Sequence, residues 1–248
     1  MILFAADLHL SASTPGLIGL FKAFLDFASR GATELFLLGD VFEFWAGDDD
    51  VDNPTNAEIV AALRAAVDNG LSIGFIHGNR DFLIGSAFAA ASGVRLLPDP
   101  HVVSVPEWQF VLTHGDQLCT DDAEYQAFRR MVRGPQWQSE FLALPLGERH
   151  RQIEAVRRAS EESKSRKAEF APMSMDVNGA AADDFLRQNG YVTLIHGHTH
   201  RPRTHDHMVD GIHCERWVLS DWHEGGNDSV GEALAWRDGQ LERLAVRF

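Results

Sequence analysis

The chain has 248 residues, 45% of them hydrophobic and 23% charged, which is the composition of a folded domain with a substantial core and excludes a disordered chain. Twenty-two Lys and Arg against 36 Asp and Glu leave a formal net charge of -14, so bulk nucleic-acid binding is excluded. A polyanionic substrate then requires local cations, supplied by a basic patch or by bound metal.

The N-terminal run from Ile2 to Ala6 reads as a buried strand; it meets Asp7 and His9 too soon to be a signal-peptide core. Further short apolar runs, each ending abruptly in polar residues, span Leu35 to Leu38, Ser72 to Ile76, Gln109 to Thr113 and Val192 to Ile195, and read as strands buried on both faces. Helical patterns separate the first three, notably Asn56 to Asn69 with Gly70 as its stop. The alternation gives an α/β fold class. From Asp121 to Asp184 the rhythm changes to helices, Ala123 to Val132 and Gly147 to Lys167, with Phe141-Leu-Ala-Leu-Pro-Leu between them. This predicts a helical insertion, 121–184, in a core formed by 1–120 and 185–248. Arg129 to Lys167 carries ten of the 22 basic residues against five acidic ones, a basic segment in an acidic protein. The tail is expected to end in shorter, antiparallel strands. No run approaches the roughly 18 apolar residues of a membrane span, and Cys119 and Cys214 lack metal-type spacing, as expected of reduced thiols in a cytoplasmic protein.

Each predicted strand is followed within about three residues by a side chain able to bind metal: Asp7 and His9, Asp40, Asn79, His114, then His198 and His200. In open α/β sheets ligands bind outside the carboxyl ends of the strands, so these seven residues are expected to converge. Carboxylate, imidazole and amide oxygen suit Mn, Fe, Co or Zn. Seven donors exceed the needs of one ion; with one bridging carboxylate they divide into two sets of four, as in two-metal sites with ions roughly 3.5–4 Å apart. Singly, such an Asp reads as a turn residue and such a His as an ordinary side chain. Jointly, Asp-Leu-His and His-Thr-His place paired side chains on one side of an extended segment, and Gly39 and Gly78 let backbone pass close to a ligand.

Asp7-Leu-His, Gly39-Asp, Gly78-Asn-Arg-Asp, the isolated His114 and Gly197-His-Thr-His, in that order, resemble the signature of the calcineurin-like metallophosphoesterases. The resemblance implies a β-sandwich flanked by helices, here with a helical cap insertion. It also implies one metal on Asp7, His9, Asp40 and His200, a second on Asp40, Asn79, His114 and His198, Asp40 bridging, and activated water as nucleophile.

Arg80 stands where the superfamily commonly has a His that protonates an alkoxide leaving group. Arginine cannot do so, whereas a phosphomonoester, with a second pKa of about 6, departs as an anion. Arg80 thus favours a pyrophosphate bond, its fork holding the second phosphate; the plainer alternative pairs Arg80 with Asp81 to hold the loop. The longer blocks, among them Gly39-Asp-Val-Phe-Glu-Phe-Trp-Ala-Gly-Asp-Asp-Asp, Phe75-Ile-His-Gly-Asn-Arg-Asp-Phe-Leu and His114-Gly-Asp-Gln-Leu-Cys-Thr-Asp-Asp, resemble the UDP-2,3-diacylglucosamine pyrophosphohydrolases of bacterial lipid A biosynthesis.

That resemblance implies attack on the α-phosphorus to give UMP and 2,3-diacylglucosamine 1-phosphate, Mn²⁺ as cofactor, and catalytic roles for Asn79, Arg80 and His198. Substrate contacts are implied for Asn79, Arg80, Asp122, Ser160, Lys164, Lys167 and His198. Ser160, Lys164 and Lys167 also share one helix face by spacing, where a solvated basic face is the plainer account. Phe128, Met131, Phe141, Leu142, Leu144 and Leu146 among basic residues suit an acyl-chain cleft, the packing of the insertion itself, or transient docking on an anionic membrane at the cytoplasmic face of the inner membrane. The competing readings are another dinuclear phosphoesterase acting on nucleotide pyrophosphates or phosphodiesters, and a non-catalytic scaffold, which would lack ligands. Asp48 to Asp50 read as a solvated loop, His205, His207, His213 and His223 as surface or hairpin residues, and Cys119 as no nucleophile.

Overall fold

In the computed structural model, which describes residues 1–248 except 107, 171–175, 226–227 and 248, and for 160–170 and 228 the backbone alone, the first strand already separates two cores. Successive side chains of β1 (Ile2–Ala5) point to opposite faces. Ile2 and Phe4 enter a cluster with Phe36, Leu38, Val103, Phe110, Leu112, Ile195 and Leu234, whereas Leu3 and Ala5 face the helices. Parallel pairing continues this division through β2 (Glu34–Leu37) and β3 (Ser72–Phe75). The short β4 (Arg95–Leu96) closes that side, and β10 (His223–Gly225), β11 (Asp228–Arg237) and β12 (Gln240–Val246) complete a seven-stranded sheet on the other.

The second sheet has the order β5 (His101–Val105), β6 (Trp108–Thr113), β7 (Thr193–His196), β9 (Ile212–Val218), β8 (Arg203–Val209). Its β6 and β7 run parallel, so their carboxyl ends share an end of the sheet. The sheets pack face to face through the cluster around Phe4, which lies 5.6 Å from both Phe36 and Phe110. Burying each such ring contributes about 1.5–3 kcal/mol. Helices α1 (Pro15–Gly31), α2 (Pro54–Asp68) and α3 (Ser86–Ser92) cover the outer face of the first sheet, and α7 (Gly179–Gln188) covers the second through Leu186. The α/β class and helix-flanked sandwich are those expected.

Helix α2 starts two residues before its predicted Asn56, because Asn53 caps it by accepting from the Thr55 N–H and Pro54 fits the first turn. Helix α4 (Ala123–Val132) has the predicted bounds, and α6 (Leu146–Phe170) contains the predicted second helix. Between them, Phe141 and Leu142 are not linker but the last turn of α5 (Pro135–Leu142), which Pro135 begins. The tail strands form antiparallel hairpins, and while β10 is short, β8, β9, β11 and β12 are longer than the four-residue central strands, a correction with a local cause. Asp210-Gly211 and Asp238-Gly239 have positive φ at both positions, the two-residue turn whose twist lets long hairpin arms stay paired. No helix among the described residues is long and apolar enough to cross a membrane.

Candidate metal centre

Five of the seven predicted donors, Asp7, His9, Asp40, His198 and His200, have φ between 49° and 69°. Non-glycine residues avoid this left-handed region, and such strain persists only where the surroundings impose it. The surroundings are the loops at the carboxyl ends of β1, β2, β3, β6 and β7, stitched to one another. Asp7 N–H donates to Gly39 O at 3.1 Å, His9 N–H to Asp40 O at 3.0 Å and Arg80 N–H to Asp40 Oδ1 at 2.8 Å. Gly39 and Gly78 allow a close approach of loop to loop. A Cβ on Gly39 would overlap the Gly78 backbone, and one on Gly78 would overlap Asp40.

All seven donors converge. His200 Nε2 lies 3.3 Å from His9 Nε2 and 3.5 Å from Asp7 Oδ1. His114 Nε2 lies 2.9 Å from Asn79 Oδ1 and 3.7 Å from Asp40 Oδ1, and His198 Nδ1 lies 2.8 Å from the same Asn79 oxygen. Asp7 belongs to two groups whose ligand atoms lie within 4.8 Å of one another, one with His9 and His200, the other with Asp40 and His114.

The donor chemistry fits cations. His114 Nδ1 faces Leu38 O at 2.9 Å and must donate to it, which directs the other ring nitrogen at the Asn79 oxygen, acceptor against acceptor, unless a positive charge lies between. Burial opposes a proton there, yet Asp40, Asp7 and Asp116 together raise the His114 pKa to about 9, a field that a bound cation satisfies equally. Asp7 is fully buried and Oδ1 has no hydrogen-bond partner among the described residues, while Oδ2 accepts from His198 N–H. Burial alone would raise its pKa, but the His200 contact and the histidine charges hold it at about 2, so it is an anion.

The calcineurin-like phosphoesterase profile matches residues 1–202, which contain every one of these donors. The chain belongs to the calcineurin-like phosphoesterase family. It is 48% identical to the UDP-2,3-diacylglucosamine hydrolase of Aromatoleum aromaticum, over 99% of this chain and 96% of that protein. It is 40% identical to the protein of the same name from Stenotrophomonas maltophilia, over 98% of both. Among solved structures, a dimetal phosphatase from Danio rerio is similar in fold, with TM-score 0.52 at 12% identity, covering 100% of this chain and 98% of that one.

In this phosphoesterase Arg80 is not paired with Asp81. Asp81 is buried and accepts from Val41 N–H and Gly78 N–H, both at 2.8 Å, fastening the loop after β2 to that after β3. Burial, with the Asp40 charge, raises its pKa to about 6. Among the described residues the carboxylate paired with the Arg80 guanidinium is Glu43, at 3.7 Å. Asp122 is half-buried and caps α4, accepting from Tyr125 N–H at 3.1 Å. Ser160, Lys164 and Lys167 lie on the α6 backbone; their side chains fall outside the described residues.

Sequence reasoning missed Glu43, Asp116 and Tyr125. Asp116 is buried, accepts from Arg129 Nε at 2.7 Å and Tyr125 OH at 2.9 Å, and is held well below the carboxylate range: burial is outweighed by His114 and Arg129. Tyr125 stacks on the His198 ring at 5.7 Å. The available signal was position: Glu43 and Asp116 follow Asp40 and His114 by three and two residues. The reading of Asp48 to Asp50 as a solvated loop is corrected. They form a 3-10 turn in which Asp48 accepts from Gly85, Ala87 and Phe88 N–H, Asp49 pairs with Arg149, and the buried Asp50 pairs with His150. Cys119 is buried and its thiol is pushed up to about 12 by desolvation and neighbouring carboxylates.

Proposed function

We propose that this chain hydrolyses the pyrophosphate bond of UDP-2,3-diacylglucosamine to UMP and 2,3-diacylglucosamine 1-phosphate, with two Mn²⁺ ions as cofactor. The observation that carries the substrate is the 48% identity to a UDP-2,3-diacylglucosamine hydrolase along 99% of the chain, helical segment included. Asp7, His9, Asp40, Asn79, His114, His198 and His200 would hold the metal, with Asp40 the proposed bridge. Bound divalent ions lower the pKa of water and neutralise charge on phosphoryl oxygens.

The chain's own residues do the rest. Arg80, whose side chain is 15% exposed, lies beside the donors with guanidinium donors available for a phosphate oxygen, and it stabilises a departing phosphomonoester without giving a proton. Asn79 and His198 meet over one amide oxygen beside His114, where the attacked phosphoryl group is expected. Asp122, Ser160, Lys164 and Lys167 are the proposed contacts to the rest of the substrate, and 121–184 the proposed lid. On that segment Met131, Leu142 and Val156 are exposed among the exposed Arg130, Arg151 and Arg158. An apolar and cationic face of this kind supports transient docking at the cytoplasmic face of an anionic membrane.

The deciding assay incubates the protein and Mn²⁺ with UDP-2,3-diacylglucosamine, UDP-glucose and a nitrophenyl phosphodiester, with product identification. UMP from the lipid substrate alone supports the proposal. Equal turnover of UDP-glucose indicates a general nucleotide pyrophosphatase, and protein that takes up no metal and turns over nothing is a scaffold. Co-sedimentation with phosphatidylglycerol vesicles at low salt tests the docking face; protein left wholly in the supernatant refutes it.

A further inference from the structure

Glu43 occupies a junction that none of the assigned roles uses. It follows β2 in the loop that carries Asp40, and its side chain is 17% exposed. One carboxylate oxygen, Oε2, lies 2.9 Å from His9 Nδ1. The other, Oε1, accepts from Arg157 Nη2 on α6 and faces Arg80 Nη1 at 3.7 Å. One side chain thus touches the metal pocket, the loop after β3 and the helical segment.

His9 Nδ1 is buried, and the Glu43 carboxylate beside it is a charge contact without aligned hydrogen-bond geometry; it favours a proton on Nδ1 and leaves Nε2 for the pocket, where it faces His200 Nε2. The Arg157 end has a matching feature. Its Nε is buried without a hydrogen-bond partner among the described residues, and its guanidinium lies over the Phe44 ring at 5.8 Å, which holds the group in place. Two guanidinium groups therefore share one carboxylate beside the donor cluster.

We propose that Glu43 is a positioning residue that joins the metal pocket to the helical segment: it orients His9 and at the same time anchors Arg157, so that metal binding and the placement of α6 over the substrate are coupled. The second half rests on the substrate reading above; the first does not. By linkage, what Glu43 does for one site it does for the other.

The test uses the full chain with Glu43→Gln, Glu43→Asp, Arg157→Gln and the Glu43→Gln/Arg157→Gln double variant, each checked for folding by near-UV circular dichroism. Titration of Mn²⁺ alone into the metal-free proteins needs no substrate. Glu43→Gln is expected to weaken the tighter Mn²⁺ site about 10- to 100-fold, the range for loss of such a supporting carboxylate, and Arg157→Gln to weaken it by a smaller factor, about fivefold, as reciprocal coupling requires. Amide hydrogen exchange over 146–157 is expected to quicken in both single variants. With lipid substrate at saturating Mn²⁺, each single change raises KM more than it lowers kcat, and the double change raises KM no further than the larger single one.

Mn²⁺ affinity of Glu43→Gln within twofold of wild type overturns the role toward His9. Additive effects on KM, with unchanged exchange over 146–157, overturn the coupling. Should Glu43→Gln fail to fold, Glu43→Asp decides, because it keeps the charge but is too short to reach both partners: normal Mn²⁺ affinity together with normal KM overturns the proposal, and loss in either supports it. If the lipid nucleotide is not a substrate at all, the metal titration and the exchange measurement still stand, so the two failures are told apart.

Discussion

The His198 backbone N–H donates to Asp7 Oδ2 at 2.8 Å, tying the loop after β7 in the second sheet to the loop after β1 in the first. That bond crosses the sandwich at the one end where both sets of parallel strands finish. It also divides the work of the Asp7 carboxylate, one oxygen structural and the other, Oδ1, left for the pocket. Gly197 makes the crossing possible, since a Cβ there would overlap Asp7 Oδ2 and come within 2.7 Å of the Ala6 Cβ.

Gly197→Ala is therefore expected to separate the two loops at a cost of about 1–3 kcal/mol, the usual penalty of overpacking. Mn²⁺ binding should weaken in parallel. A variant with wild-type melting temperature and wild-type Mn²⁺ affinity would show that the loops have slack there.

Asp40 Oδ1 lies 3.7 Å from His114 Nε2 and accepts from the Arg80 N–H, so Asp40→Ala removes the proposed bridging ligand and loosens its neighbour. Turnover should fall by about a thousandfold or more, in line with the several kcal/mol that bound metal contributes to charge stabilisation. Steady-state rates at saturating Mn²⁺ check this, and a loss below tenfold contradicts the role.

Arg80→Ala should separate two kinds of substrate. A pyrophosphate whose leaving phosphate needs a charge partner is expected to lose about a hundredfold in kcat, the scale for removing one donor to developing charge. A nitrophenyl ester, whose leaving group is already stable as an anion, should lose far less. Equal losses on both refute the leaving-group argument.

Arg149 and Asp49 form an ion pair whose partners are unequal in burial. Arg149 is 1% exposed and also donates to Ala46 O and Leu144 O, whereas the Asp49 side chain is 62% exposed. Arg149→Ala leaves buried carbonyls unsatisfied and should cost about 3 kcal/mol. Asp49→Asn keeps one acceptor but takes the counter-charge from the buried guanidinium, and should cost less than Arg149→Ala, about 1.5–2 kcal/mol. Thermal melting orders the two; a larger effect at Asp49 would reverse the assignment.

Cys119 supplies the pH prediction. Its folded pKa is raised to about 12 by burial and the nearby carboxylates, above the roughly 8.5 of a free thiol, so its contribution to stability is fully present below pH about 8.5. It is lost as pH rises from there toward 12, because only the unfolded chain can release the proton. Native protein at pH 9 should resist a thiol-directed disulfide reagent that labels the unfolded chain at once, and Cys119→Ser should flatten the alkaline limb of stability.

The sequence by itself determined the α/β class, the central strands and the donor set, because these depend on local rules. Apolar runs bounded by polar residues mark buried strands, and ligand chemistry is a property of residue type. Even the convergence of Asp7, Asp40, Asn79, His114 and His198 follows from their shared place at strand ends. The sequence also contained the Asp210-Gly211 and Asp238-Gly239 turn signals that set the long tail strands. Tertiary structure alone decided the partners. That Arg80 faces Glu43 and not its neighbour Asp81, that Asp48 to Asp50 hold α3 and α6, and that Gly39 and Gly78 admit each other's loops are contacts between segments 37 to 100 residues apart. No local pattern encodes such pairs: a carboxylate's partner is set by which charged group the folded chain brings within a few ångströms, and that distance exists only after the two sheets have packed.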